Sequence, residues 1–195
     1  MKLIFATNNQ HKVDEIRTTV GNDFEIITLK EAGIEIDIPE PFDTLAENAT
    51  AKSQTIFKMT GINCFSEDTG LEVFALNGEP GVKSARYAGE EKSFDANIDK
   101  LLINLAEKSD RKAQFKTIIS LIINGEEHKF EGICKGTITK ERLGEKGFGY
   151  DPVFMPAGFK TTFAEMTLNE KGKISHRARA TEKLVKFLET SKTNN

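Results

Sequence analysis

The sequence predicts an α/β fold, with a mixed central sheet flanked by helices and two lobes around a cleft that would take a substrate. Three observations lead there. Short apolar runs alternate with stretches of helical periodicity, Asn124-Gly125 joins two long strand-like runs, and glycines and prolines punctuate the pieces. At 195 residues the chain is long enough for one well-buried core, and a single domain over 1–195 is expected.

Each element has its own signal. Lys2 to Ala6 is an apolar run suited to a buried strand, and from Asn9 onward Val13, Ile16 and Val20 recur at helical spacing until Gly21 stops them. Phe24 to Leu29 reads as a second strand. Pro39 and Pro41 cannot donate backbone hydrogen bonds or continue a helix, so Glu40 between them sits on an irregular segment. Thr44 to Glu47 matches a capping box for a helix running to about Met59, with Gly61 just past its end. Ile62 to Phe65 looks like a short central strand that gives way to a polar loop at "SEDTG". Gly78 to Gly89 reads as ordered loop, and from about Ser93 a helix carries Phe94, Ile98, Leu101, Leu102 and Leu105 on its apolar face. Gln114 to Ile123 is strand-like, Asn124-Gly125 is a type I′ hairpin signal, and the return strand begins near His128. Ser175 is placed to cap a last helix whose inward face is Leu184, Val185 and Leu188.

Composition narrows the function classes. Lys plus Arg number 27 against 30 Asp plus Glu, a formal charge of -3, so no global positive field invites nucleic acid or an anionic membrane surface. Any phosphate binding must be local. The two cysteines, Cys64 and Cys134, lack metal-ligand spacing and are too few for a disulfide framework, which fits a reducing compartment and a core role for both. No apolar stretch approaches the roughly 18 residues that span a bilayer, so a soluble cytoplasmic protein is expected.

Five clusters could carry chemistry. Thr7, Asn8, Asn9, Gln10, His11 and Lys12 crowd the hinge before the first helix, where unpaired amides and the helix dipole favour a phosphate. The plainer alternative is that Asn9 caps the helix and Lys12 lies in solvent. Glu67 and Asp68 end a strand, where open α/β sheets place ligands, although a solvated acidic turn would look the same. Adjacent strand residues point to opposite faces, so one of the two is expected to face the cleft. With Glu40 they supply oxygen ligands suited to Mg²⁺. Thr44, Asn48 and Lys52 share one helix face, either toward that cleft or as a polar surface stripe. "FGYD", Phe148 to Asp151, offers a ring for stacking and a carboxylate for ring nitrogens, or simply a tight turn with a core phenylalanine. "KGKISHR" contributes Lys171, His176 and Arg177, and a basic helix start is not electrostatically favoured.

In order along the chain, "ATNNQHK", "PE", "ENA" with Lys52, "SEDTGL", "GEPGVKSARYAG", "GFGYDPVF", "AEM" and "SHR" resemble the inosine triphosphate pyrophosphatases, also described as dITP/XTP or non-canonical purine nucleoside triphosphate pyrophosphatases. The resemblance covers almost the whole chain. It implies Mg²⁺-dependent hydrolysis between the α and β phosphates, giving a monophosphate and pyrophosphate, in a homodimer that cleanses the nucleotide pool. Thr7 to Lys12 match the phosphate-binding stretch, Asp68 the general base and metal ligand, and Glu40 the second metal ligand. Lys52 and Lys171 match phosphate or neighbouring contacts, and Thr69 a contact beside the base. Phe148, Gly149, Tyr150, Asp151, His176 and Arg177 match the base pocket. Asn8, Glu67 and Ala178 depart from the residues common in relatives, none of them removing a proposed ligand or base. A Maf-like pyrophosphatase with other base specificity and a non-catalytic nucleotide-binding module are the alternatives.

Overall fold

The computed structural model describes residues 1–20 and 24–193. In chain order the elements are β1 (Lys2–Phe5), α1 (Gln10–Val20), β2 (Glu25–Thr28), α2 (Leu45–Thr60), β3 (Cys64–Val73), β4 (Pro80–Gly81) and α3 (Phe94–Asn104), followed by β5 (Lys112–Ile123), β6 (Glu126–Ile138), β7 (Phe154–Pro156), α4 (Leu168–Lys171) and α5 (His176–Thr193). The strands form a mixed sheet in the order β2-β1-β3-β5-β6-β7, with β4 paired to β3. The expected helix stop at Gly21 lies outside the described residues.

The chain divides into two compact units: Met1–Asp68 with Thr117–Gly132 and Arg177–Asn195, and Thr69–Lys116 with Ile133–His176. In the first unit β1 pairs in parallel with both β2 and β3. Leu3, Phe5, Val13, Ile16, Phe65, Leu184 and Leu188 pack into one apolar cluster, in which the rings of Phe5 and Phe65 stack 4.4 Å apart. Leu184 and Leu188 are therefore inward as expected, while Val185 is half-buried. Thr44 caps α2 by accepting from the Glu47 N–H at 3.2 Å and donating to the Glu47 carboxylate at 2.6 Å. Gly61 closes the helix with φ 64°, its N–H donating to Phe57 O. Asn124 and Gly125 both take positive φ, the requirement of a type I′ turn.

In the second unit Leu71, Val73, Ile98, Leu101, Leu105, Phe115, Phe154 and Phe163 form the core. Ser93 caps α3, accepting from the Ala96 N–H, where the helix was expected to begin. Phe94, expected on the buried face, is 43% exposed, its ring 6.2 Å from that of Phe148. The 78–89 loop contains the two-residue strand β4 and a 3-10 turn at Ser84–Arg86. Cys64 and Cys134 are both buried, as a core role requires, and burial pushes the Cys64 thiol up to about 12. Among the described residues no helix is long and apolar enough to cross a membrane.

One expectation is corrected. The strand expected to end at Phe65 runs on to Val73, straight through "SEDTG". Charged residues read as loop because an unpaired carboxylate is costly to bury, yet Glu67 and Asp68 each meet buried cations, and the ladder continues. Gly70 permits the approach of β4: a Cβ added there would lie 2.5 Å from Gly81 O. Gly70→Ala is expected to lower stability by about 1–3 kcal/mol through overpacking. Urea unfolding checks this, and a midpoint equal to that of the wild type would refute the close-approach account.

Candidate active site

In the first unit the hinge before α1 is built by its own side chains. Thr7 Oγ1 accepts from the Asn9 N–H at 3.2 Å, and Asn9 Oδ1 accepts from the Lys12 N–H at 3.3 Å, a helix cap. Asn8 donates to Ile36 O at 2.9 Å and Gln10 to Asp14 at 2.7 Å, while His11 is exposed. The capping alternative for Asn9 is thus observed. Its companion is not: Lys12 turns away from solvent, with Nζ 3.0 Å from Glu67 Oε1.

Glu67 is the centre of a buried ion network. Arg177 donates to it from Nε at 2.7 Å and from Nη2 at 2.8 Å, and from Nη1 to Glu15 at 2.5 Å. Burial pushes the Glu67 carboxyl up, but Arg177 and Lys12 outweigh it and hold the group well below the ordinary carboxylate range. Burial likewise opposes the charge on Arg177, and Glu67 and Glu15 more than restore it. The planar guanidinium suits two-point pairing with one carboxylate while keeping a nitrogen for another. Arg177 was expected in a base pocket beside His176. Its guanidinium is engaged with Glu67 and Glu15, and this pairing offsets the charge of a basic helix start.

The next strand residue lives in a different environment. Asp68 Oδ1 lies 3.2 Å from Lys52 Nζ, and Glu40 Oε1 lies 2.5 Å from the same nitrogen. For Asp68, burial raises the proton affinity, Lys52 and Lys12 lower it, and Glu40 raises it again, leaving the carboxyl above its ordinary value. Lys52 is held above its own ordinary value: burial works against the charge, and Asp68 and Glu40 overcome it. A carboxylate with raised proton affinity beside a cation is a suitable proton acceptor. Among the described residues no group of three His, Cys, Asp or Glu could hold a metal ion. Glu40 and Asp68, converging on one ammonium, fit a hard cation that takes one or two carboxylates and completes its shell with waters and phosphate oxygens.

In the second unit Phe148 to Asp151 form a turn in which Gly149 has φ 60°. Asp151 Oδ2 accepts from the Phe148 N–H at 2.9 Å and from Lys171 Nζ at 2.5 Å. Lys171 Nζ lies 5.0 Å from the Phe148 ring centroid and 5.2 Å from that of Phe163. Tyr150 is buried and donates its hydroxyl to Ser84 O at 2.8 Å. His176 is buried with its imidazole stacked 4.5 Å from Phe115. Thr69 is half-buried. Thus Phe148, Asp151 and Lys171 come together, and His176 adjoins them through Phe163, whose ring centroid lies 6.2 Å from that of the imidazole.

Sequence reasoning missed Glu15 and gave Asn48 no role of its own. Glu15 sits on the buried face between Val13 and Ile16, and a carboxylate in that position was the available signal. Asn48 is buried one turn before Lys52. Glu67→Gln is expected to cost about 3–5 kcal/mol at neutral pH, because the buried Arg177 loses half its compensation. Since the folded carboxyl sits below its unfolded value of 4.5, the wild-type advantage is complete above that pH and is lost as pH falls below it. Urea titrations of both proteins across pH check the size and the sign.

The model of the Ham1 family matches residues 3–187. The chain is 49% identical over 187 residues to the dITP/XTP pyrophosphatase of Flavobacterium psychrophilum, covering 96% of this chain and 98% of that protein. It is 52% identical to the enzyme of that name from Porphyromonas gingivalis, covering 96% and 97%. The structure of the Staphylococcus aureus Ham1 protein superposes with a TM-score of 0.88 at 42% identity, over 98% of this chain and all of that one. That of a HAM1 protein from Coxiella burnetii gives 0.88 at 35% identity, over 97% and 99%. Matched along nearly its whole length in sequence and in fold, the chain belongs to the Ham1 family.

Proposed function

We propose that the protein hydrolyses non-canonical purine nucleoside triphosphates, ITP, dITP and XTP, to the monophosphate and pyrophosphate. The observation that carries this reading is the group formed by buried Lys52 and Asp68 with half-buried Glu40, in a family whose similar curated members are named dITP/XTP pyrophosphatases. Pyrophosphate release needs cationic groups for phosphate oxygens and a base for water, and this group contains both types.

In this reading Thr7 to Lys12 and Lys52 hold the phosphate chain, with the α1 amides adding their dipole. Glu40 and Asp68 hold Mg²⁺, which when bound neutralises phosphate charge and eases deprotonation of water. Asp68 accepts the proton of the attacking water at a carboxylate oxygen, a role supported by its place at the end of the Glu40–Lys52 group. Phe148 to Asp151, Lys171 and His176, with Thr69 beside them, serve the base end. A donor aimed at a 6-oxo group would leave a 6-amino purine poorly paired, and such mismatches discriminate strongly. Arg177 serves the phosphate end, because it holds Glu67, the carboxylate that also draws in Lys12.

Purified protein with Mg²⁺ and ITP, XTP, GTP or ATP should release monophosphate and pyrophosphate from the first two and largely spare the others. Cleavage of all four would keep the bond and discard the selectivity. Activity confined to modified pyrimidine nucleotides would favour a Maf-like specificity. Asp68→Asn should reduce kcat by at least about a hundredfold, the lower range for a general base. Because a raised carboxyl pKa makes the ionised folded state less favourable above the unfolded value, the same variant should melt no lower than the wild type. Near-normal turnover would remove Asp68 from the role of base.

A further inference from the structure

We propose that Asn48 is the positioning residue for the Glu40 and Asp68 carboxylates, an inference that rests on the pyrophosphatase reading above. Its side chain is 1% exposed and makes three hydrogen-bond contacts. Oδ1 accepts from the Phe42 N–H at 3.0 Å, Nδ2 donates to Phe42 O at 3.0 Å, and Nδ2 also lies 3.5 Å from Asp68 Oδ2.

The two bonds to Phe42 fix the amide orientation, because a flipped amide would set NH₂ against N–H and oxygen against oxygen. With that orientation set, a donor hydrogen faces Asp68. Lys52 takes Oδ1 of the same carboxylate, so the two oxygens of Asp68 are held by different residues of α2, one turn apart.

The other end of the clamp reaches Glu40. Phe42 follows Pro41, whose ring fixes φ, so anchoring the Phe42 backbone restrains the segment two residues away that carries Glu40. That segment has no helix or strand of its own between β2 and α2. One side chain thereby ties an irregular segment to the carboxylate on β3. Only Asn and Gln side chains combine a carbonyl acceptor with an amide donor, and Gln is one methylene too long for this span.

The metal-binding carboxylates should therefore be displaced when Asn48 is truncated. Asn48→Ala is expected to raise the Mg²⁺ concentration for half-maximal activity by about ten- to a hundredfold, the usual effect of removing hydrogen bonds that orient ligands. Base selectivity should be unchanged. Ser53→Ala, also on α2, which removes the 2.7 Å hydroxyl pair with Ser120 of β5, should lower Tm and leave the Mg²⁺ dependence alone. A readout independent of turnover is amide exchange at Phe42: protected in the wild type, and about tenfold faster or more in Asn48→Ala as local opening becomes easier. An unprotected Phe42 amide in the wild type would overturn the clamp even if the variant fails to fold. An active wild type whose Mg²⁺ dependence survives Asn48→Ala would overturn the positioning role alone. A wild type with protected Phe42 but no Mg²⁺-dependent turnover would overturn the pyrophosphatase reading and the positioning role with it.

Discussion

The charge on Arg177 is the constraint on which the first unit depends. The residue is 1% exposed, and a cation so placed is tolerable only with full pairing and hydrogen bonding. Glu67 supplies two acceptors and Glu15 a third, so α5, β3 and α1 must meet in one register around it. Lys12 completes the arrangement, because Glu67 also draws its ammonium inward. Apolar packing around Leu3, Phe5, Ile16, Phe65 and Leu184 supplies the drive to bury these elements. It is non-directional, whereas the fork of Arg177 specifies which faces come together.

Strand alternation then separates two chemistries that are neighbours in sequence. Ser66 donates to Ala49 O, and Asp68 meets Lys52 and Asn48, so both residues face α2. Glu67 between them points the other way, to α1 and α5. The partners on the two sides differ in strength. Arg177 and Lys12 overwhelm burial at Glu67 and fix its charge. At Asp68 a single close lysine is shared with Glu40, and burial prevails. Two consecutive carboxylates are thus driven in opposite directions, Glu67 toward the anion and Asp68 toward a higher proton affinity.

How much of this was legible in the sequence follows from the range of the interactions. The Asn124-Gly125 hairpin, the Thr44 cap and the Gly61 stop rest on bonds spanning a few residues, and each stands where local rules put it. The alternation of Glu67 and Asp68 was likewise local and was foreseen. Their partners were not, because Arg177 lies 110 residues from Glu67 and 162 from Glu15. Without those partners β3 could only be read as ending where its charges begin.

The "SHR" motif shows why adjacency in sequence is a poor guide to shared purpose. His176 and Arg177 are consecutive at the start of α5, yet the contacts of His176 group it with Phe115 in one compact unit and those of Arg177 with Glu67 and Glu15 in the other. Successive helical residues diverge by about 100° around the axis, so one basic cluster is divided between two environments. Imidazole, neutral or charged, can stack on a phenylalanine in an apolar setting. Guanidinium cannot shed its charge and must be met by carboxylates. The chemistry of each side chain, more than its place in the motif, decides which unit it helps to build.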